Sequence, residues 1–356
     1  MIFAVTEENV KILGRHYYED DTCQLPFSGS TVAFTFHGSR LEARIKSNAS
    51  VLDDNSFCYI DIYIDDSKSP LKHIALHSDD ATYLLYEANT IRDVAVRIVK
   101  TSEAKYGKLG FVSFCTDTDE KPVPFAYSDR RIEFIGDSIT CGYGIDGRFM
   151  IDTFSTGNEN PVKAYAMLTS KALHADYHLV SWSGIGTTSC YVPPEIEEPS
   201  NEWLIQDIYP YIDSIDELTH NVARENWKQW HFGNFIPDLI VVNLGTNDAS
   251  YTRNKKERVE VFYKDYLIFI QSVRESNPNS VILCTLGTMD QSLCSTVESV
   301  VNQLRTQKND SNLYYYHLDL QAEEDGLAVD YHPTSATHQK VALNLTAEIR
   351  RIMEWN

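Results

Sequence analysis

The pattern of apolar and polar positions divides the chain into two parts. Up to about residue 125, short runs alternate between apolar and polar residues and are separated by turn-rich gaps, as in the strands of a β-sandwich or jelly roll. These runs are 31–36, 41–45, 59–64, 83–86, 94–99 and 109–114. We therefore predict an all-β sandwich, jelly-roll-like, over residues 1–125.

After this point, continuous apolar runs alternate with amphipathic ones. The pattern predicts strands at 132–135, 177–182, 239–243, 280–285 and 313–319, and helices at 162–173, 258–275, 293–307 and 335–353. Such alternation is typical of βαβ units, so we predict a parallel five-stranded sheet covered by helices on both faces. The polar, proline-punctuated stretch 117–124 marks the boundary, and this α/β domain spans 126–356.

Length and charge narrow the classes of partner. A chain of 356 residues exceeds the size at which one core stops growing, so two domains are expected. The formal net charge of −20 disfavours nucleic acid and anionic membrane surfaces, because both would repel the protein at long range. No run approaches the roughly 18 to 20 apolar residues that cross a bilayer. A homo-oligomer is compatible with the sequence.

Cysteine usage bears on the cellular compartment. The seven cysteines are odd in number and lack C-x-x-C or Cys/His metal spacing, which indicates reduced thiols. The first residues lack the basic and apolar regions of a signal peptide. We therefore expect a cytoplasmic protein. We expect no cofactor and no metal, because the sequence has no Walker A loop, dinucleotide fingerprint or H-E-x-x-H motif.

A candidate nucleophile follows the first strand of the α/β part. The apolar run 132–135 leads into Gly-Asp-Ser-Ile-Thr at 136–140, which puts Ser138 where a strand turns into a helix. Open α/β sheets bind ligands at this edge, and N–H groups at a helix start can hold an oxyanion. Alone, the motif is better explained as an ordinary helix N-cap, and such a structural role suits Asp137 better than that of a catalytic acid.

Two further polar stretches lie where strands end. A buried run at 239–243 leads into Gly-Thr-Asn-Asp at 245–248, and Asp-Tyr-His-Pro at 330–333 precedes the last helix. Each is weak alone, since such residues are common in turns. Together, Ser138, Asn247 and His332 supply a nucleophile, a hydrogen-bond donor and a base in one order, which favours acyl transfer.

These motifs, with Ser-Gly-Ile-Gly at 183–186, resemble those of SGNH (GDSL-type) hydrolases over most of residues 130–356. Within that superfamily the chain resembles carbohydrate esterase family 2, through Lys-Ile-Leu-Gly-Arg at 11–15, Pro-Phe-Ser-Gly-Ser at 26–30, Trp230 and Pro-Asp at 237–238. Members of that family carry a β-sandwich before the hydrolase domain and deacetylate plant polysaccharides. The resemblance implies an acetylxylan esterase-like enzyme whose substrate is an acetylated xylo- or other oligosaccharide, imported and short if the protein is cytoplasmic.

The resemblance also implies roles for individual residues. Ser138 would be the nucleophile and His332 the general base, and the oxyanion hole would comprise the N–H groups of Ser138 and Gly184 and the side-chain amide of Asn247. The third triad member stays open. SGNH enzymes typically carry an aspartate three residues before the histidine, whereas here the acid is Asp330, two before. In family 2 the histidine is oriented by an aspartate or, in some members, by a backbone carbonyl alone.

Aromatic faces are the usual apolar contacts for sugars, and several aromatic residues lie in or beside the predicted loops. The candidates are Trp182, Tyr191, Trp203, Trp227, Trp230 and Tyr331. The long irregular stretch 186–237 is expected to shape the cleft.

Two alternatives remain at this stage. SGNH folds also host lipases, thioesterases and other short-chain esterases, because function depends on the site more than on the fold. A catalytically inert carbohydrate-binding protein is the other, and the sandwich could serve glycan contact, oligomerisation or scaffolding.

Overall fold

The computed structural model describes residues 1–213 and 222–356, and the chain forms two compact units. The first unit contains Met1–Ser128, Phe154–Glu159 and the described residues of Ile212–Trp227. The second unit contains Asp129–Thr153, Asn160–Tyr211 and Lys228–Asn356. Two segments from beyond the predicted domain boundary therefore belong to the first unit, which the apolar pattern does not predict.

The first unit is built on one curled antiparallel sheet, which confirms the all-β prediction. Its strands are β1 (Ile2–Ala4), β2 (Lys11–Leu13), β3 (Tyr17–Glu19), β4 (Thr22–Leu25), β5 (Thr31–Ser47), β6 (Tyr59–Ile64), β7 (Lys72–Ala75), β8 (Asp80–Lys100), β9 (Leu109–Thr116) and β10 (Val123–Pro124). The order is β3-β4-β9-β5-β8-β6-β7, with β1 on β9 and with β2 and β10 on β5.

The strands β5 and β8 are longer than predicted and pair with each other along most of their length. Each joins two predicted strands, because the polar residues between the apolar runs continue the strand instead of turning the chain. The register shifts between Gly38 and Arg40, so an irregularity absorbs the break in alternation. Apolar side chains from both strands, such as Phe34 and Val96, lie in the core of this unit.

The second unit contains the predicted parallel sheet. Its strands are β11 (Arg131–Gly136), β12 (Asp176–Ser181), β13 (Leu239–Asn243), β14 (Val281–Leu286) and β15 (Leu313–His317), in the order β12-β11-β13-β14-β15. Every pairing is parallel, and the strand ends agree with the prediction to within two residues. β11 to β14 are almost fully buried because helices cover them, as continuous apolar runs predict.

The described helices are α1 (Ser138–Cys141), α2 (Tyr165–Leu173), α3 (Ile205–Ile208), α4 (Thr246–Thr252), α5 (Lys256–Ser276), α6 (Cys294–Lys308) and α7 (Ser335–Met353). Short 3-10 helices lie at Ala49–Val51, Thr156–Asn158, Pro161–Lys163, Arg224–Asn226, Phe232–Asn234, Glu323–Asp325 and Val329–Tyr331. None of the helices within residues 1–213 and 222–356 is long and apolar enough to cross a membrane.

The strand order determines which loops meet at one edge of the sheet. Gly136 at the end of β11 is in register with Ser181 of β12 and with Asn243 of β13. Because the three strands are parallel neighbours, the loops that follow them leave the sheet side by side. These loops carry Ser138, Gly184 and Asn247. β15 lies at the far edge of the sheet, and the chain after it returns towards these loops.

Candidate active site

Ser138 is the first residue of α1, in a tight turn directly after β11. Gly136 ends the strand, and a Cβ at that position would lie 2.1 Å from the Thr140 hydroxyl oxygen, so only glycine fits. Asp137 caps the helix, since its Oδ1 accepts the Ile139 N–H at 3.0 Å. In the described part of the chain, the Ser138 N–H donates to no acceptor. This N–H is therefore available to a ligand.

The imidazole of His332 contacts this serine. Its Nε2 lies 2.8 Å from Ser138 Oγ, and its Nδ1 lies 3.2 Å from each of the backbone carbonyl oxygens of Val329 and Asp330. Carbonyl oxygens only accept hydrogen bonds, so Nδ1 carries the proton and Nε2 is left to accept the serine hydroxyl proton. Burial lowers the pKa of His332, which keeps the ring neutral at pH 7.

The carboxylate of Asp330 is not brought to this ring, contrary to the sequence-based option of a triad. Its Oδ2 accepts a hydrogen bond from the Tyr143 hydroxyl at 2.9 Å. The physical reason is the backbone, because Asp330 has φ +51 and turns its side chain away while its own carbonyl faces Nδ1. The negative charge still acts at a distance and raises the pKa of His332, opposing the larger effect of burial.

The expected oxyanion donors come from the two loops beside the serine. Gly184 has φ +80, and a Cβ on it would meet nothing within 4 Å, so its backbone borders open space. Its N–H has no acceptor among the described residues. The Asn247 amide donates to the Ile185 carbonyl at 2.8 Å and approaches Asp137 Oδ2 at 3.3 Å. The amide therefore fixes the Gly184 loop, and its second hydrogen would have to leave Asp137 to reach an oxyanion.

Asp248 holds the loop formed by residues 183–189, and the sequence analysis assigned it no role. Its Oδ1 accepts the N–H groups of Thr187, Thr188 and Ser189 at 3.0, 2.7 and 3.1 Å. Burial raises the pKa of Asp248 to about 6, and the three N–H donors oppose that rise. The signal for this role was its place directly after Asn247 in the first turn of α4.

The aromatic candidates differ sharply in exposure. Tyr191 and Tyr331 are 57% and 59% exposed, whereas Trp182 and Trp230 are only 6% and 5% exposed. Trp203 is intermediate, and Trp227 is buried in the first unit. The two tyrosines can therefore offer a ring face to a ligand, and the buried tryptophans cannot without a rearrangement.

Tyr331 precedes His332, and its ring is in edge contact with Phe149 at a centroid distance of 4.9 Å. Tyr191 follows the 183–189 loop, and its N–H donates to the Gly184 carbonyl at 2.8 Å. Each exposed tyrosine thus lies next to a segment of the site. Of the stretch 186–237, which was expected to shape the cleft, residues 214–221 lie outside the described residues.

Comparisons with known proteins agree with this arrangement. Residues 132–345 match the GDSL-like lipase/acylhydrolase family, and residues 12–125 match the carbohydrate esterase 2 N-terminal family. Over 98% of its length the chain is 32% identical to the cellulase/esterase CelE of Acetivibrio thermocellus, and it spans 40% of that longer protein.

Two further relatives match over nearly their whole lengths. An acetylxylan esterase/glucomannan deacetylase of Cellvibrio japonicus is 26% identical, with 99% of this chain and 91% of the relative covered. A family two carbohydrate esterase from Clostridium thermocellum, solved in complex with cellohexaose, is 30% identical with a TM-score of 0.83. That comparison covers 98% of this chain and 100% of the other.

Proposed function

The chain belongs to the GDSL-like lipase/acylhydrolase family and to carbohydrate esterase family 2, and on that premise we propose that it is a serine esterase that removes O-acetyl groups from oligosaccharides. The observation that carries this proposal is the 2.8 Å contact between Ser138 Oγ and His332 Nε2. It lies beside two N–H groups, those of Ser138 and Gly184, that have no acceptor in the described part of the chain.

The first step forms an acyl-enzyme. Ser138 Oγ attacks the acetyl carbonyl carbon while His332 Nε2 takes the hydroxyl proton. The resulting imidazolium keeps its Nδ1 proton on the carbonyl oxygens of Val329 and Asp330. The ring then gives the Nε2 proton to the sugar oxygen as the ester bond breaks. The sugar leaves as a neutral alcohol.

The tetrahedral intermediate carries a negative charge on the former carbonyl oxygen. We assign its donors to the N–H groups of Ser138 and Gly184 and to the Asn247 amide. A glycine at 184 suits this role because its backbone borders open space, which lets the substrate oxygen approach closely. In the second step His332 activates a water that hydrolyses the acetyl-serine, and acetate is released.

For the substrate we propose acetylated xylo-oligosaccharides or other plant-derived oligosaccharides. One relative named above is an acetylxylan esterase/glucomannan deacetylase, and another was solved in complex with cellohexaose. The exposed rings of Tyr191 and Tyr331 beside the site are suited to stacking on sugar faces. The acyl group would be acetyl, and no step of this chemistry requires a metal.

A location in a reducing compartment such as the cytoplasm is also a proposal. All seven cysteines are free thiols, five of them are buried, and an odd number cannot be fully paired. Fractionation of the source cells with an antibody would test it. Native protein recovered from the culture supernatant would exclude a cytoplasmic location.

The test of function is acetate release from acetylated xylo-oligosaccharides, with 4-nitrophenyl acetate and butyrate compared in parallel and a chelator present. We expect the S138A variant to lose several orders of magnitude in rate and the butyrate ester to react much more slowly than the acetate. Equal rates for both esters would favour a general short-chain esterase. Sugar binding without Ser138-dependent turnover would favour an inert carbohydrate-binding protein.

A further inference from the structure

The Gly-Tyr-Gly stretch at 142–144, directly after the nucleophile helix, has no role in the steps above. Gly142 and Gly144 both have positive φ, +76 and +60, which turns the chain sharply on each side of Tyr143. A Cβ at Gly144 would lie 2.6 Å from the Cβ of Val329. The stretch therefore packs directly against the loop that carries His332.

Tyr143 contacts that loop in two ways. Its hydroxyl donates to the Asp330 carboxylate at 2.9 Å. Its ring lies over the His332 imidazole, with centroids 4.3 Å apart and planes inclined by 31°. The Tyr143 side chain thus contacts both the carboxylate of Asp330 and the ring of His332.

The loop needs such support because its backbone is unfavourable. Asp330 and Tyr331 have φ +51 and +66, a left-handed conformation that costs non-glycine residues free energy and persists only where the surroundings impose it. This conformation turns the carbonyl groups of Val329 and Asp330 towards Nδ1 of His332. If the loop relaxed, Nδ1 would lose both acceptors.

We propose that Tyr143 is a positioning residue of the active site, which holds the Asp330 carboxylate so that backbone carbonyls orient His332. Asp330 then serves the histidine through the shape of the loop and not through a carboxylate–imidazole hydrogen bond. This inference rests on the proposed esterase function. It predicts that the hydrogen-bonding capacity of residue 330 matters more than its charge.

Four variants test this: Y143F, D330A, D330N and the double variant Y143F/D330A. An asparagine at 330 keeps an oxygen that can accept the Tyr143 hydroxyl, whereas alanine does not. We expect Y143F and D330A each to lower kcat about tenfold with KM little changed, the double variant to be no worse than either, and D330N to lose much less than D330A.

The matched control is Y63F. It removes another tyrosine–carboxylate hydrogen bond, from Tyr63 to Asp61 at 3.0 Å in the N-terminal sheet. We expect this variant to change the thermal unfolding temperature without a selective loss of kcat. A loss of kcat as large as that of Y143F would mean that the effect is general destabilisation and would overturn the proposal.

A second readout does not depend on turnover. In ¹⁵N NMR spectra the wild-type His332 ring should be almost entirely the Nδ1–H tautomer, and Y143F should increase the share of the Nε2–H tautomer. An unchanged tautomer in Y143F would overturn the proposal. So would a D330N variant that loses as much kcat as D330A while Y143F stays fully active. Wild-type protein without Ser138-dependent esterase activity would instead refute the proposed function, and the NMR result would still decide the role of Tyr143.

Discussion

Gly186 passes so close to Asp248 that a Cβ on the glycine would lie 2.8 Å from both carboxylate oxygens. It would also lie 2.0 Å from the carbonyl oxygen of Ser189. The glycine thereby allows the Asp248 carboxylate to accept hydrogen bonds from three successive N–H groups, which fixes the 183–189 loop. Because Gly184 lies in this loop, the close contact between Gly186 and Asp248 determines the direction of the Gly184 N–H.

A methyl group at position 186 should therefore impair catalysis. The G186A variant must move the backbone of the 183–189 loop, which displaces the proposed Gly184 oxyanion donor, and we expect kcat to fall by about 10²-fold. The matched control is G233A, because a Cβ at Gly233 meets nothing within 4 Å. Steady-state kinetics on 4-nitrophenyl acetate would measure both. A fully active G186A variant would show that the loop does not present a donor.

The side chain of Asn247 should contribute to the same step. We expect N247A to lower kcat by about 10² to 10³-fold, because it removes the proposed oxyanion donor and also the bond to the Ile185 carbonyl. S250A is the control, since Ser250 Oγ bonds the Asn247 carbonyl and the Val192 N–H but not the amide. If both variants lose the same activity, Asn247 acts through the fold of α4 and not on the oxyanion.

The buried carboxyl group of Asp248 should make stability depend on pH. Its pKa in the folded protein is about 6, above the ordinary 3.8, so between these values the folded state binds more protons than the unfolded state. Through this group, the free energy of unfolding therefore falls as pH rises from about 4 to about 6 and is level above that.

The D248N variant cannot ionise, and its amide oxygen can still accept the three N–H groups. The unfolding temperature of D248N minus that of wild type should therefore increase as pH rises from about 4 to about 7. Calorimetry at several pH values would measure this difference. A difference that does not change with pH would contradict the raised pKa. D248A, which removes the acceptor, should be less stable than D248N at every pH.

The two exposed tyrosines should affect oligosaccharides more than small esters. We expect Y191A and Y331A each to raise KM for an acetylated oligosaccharide about two- to tenfold, because each loses one stacking contact, and to leave KM for 4-nitrophenyl acetate little changed. W182F provides the contrast, since Trp182 is buried and should affect stability instead. Equal effects on both substrates would place these rings at the reacting ester and not along the sugar.

The parallel sheet could be predicted from sequence because its central strands are apolar on both faces. Continuous apolar runs such as 239–243 have few other interpretations, and the last helix was predicted with the bounds Ser335–Met353 that the structure has. In the N-terminal sheet, by contrast, the strands β1 to β4 are three or four residues long and carry too little alternation to be recognised. Their pairing with distant strands stabilises them, and local propensity does not.

The meeting of Ser138, Gly184 and Asn247 at one sheet edge also follows from the sequence, since each comes directly after a strand. The surroundings of His332 do not. They depend on positive φ at both Asp330 and Tyr331, which a tyrosine rarely adopts, and on a second tyrosine 187 positions before Asp330. The pattern of residues therefore indicated a serine and a histidine but could not decide what orients the histidine.

The segment Phe154–Glu159 completes the first unit from far along the chain. Thr156 Oγ1 donates to the Phe57 carbonyl, and the Gly157 carbonyl faces Nε2 of His73 on β7. A gene fragment that stops at residue 128 would encode the ten strands without these partners. The N-terminal sheet consequently cannot be exchanged between relatives as one continuous segment, because the later segments of its unit would have to be exchanged with it. We expect simple end-to-end fusions to express poorly.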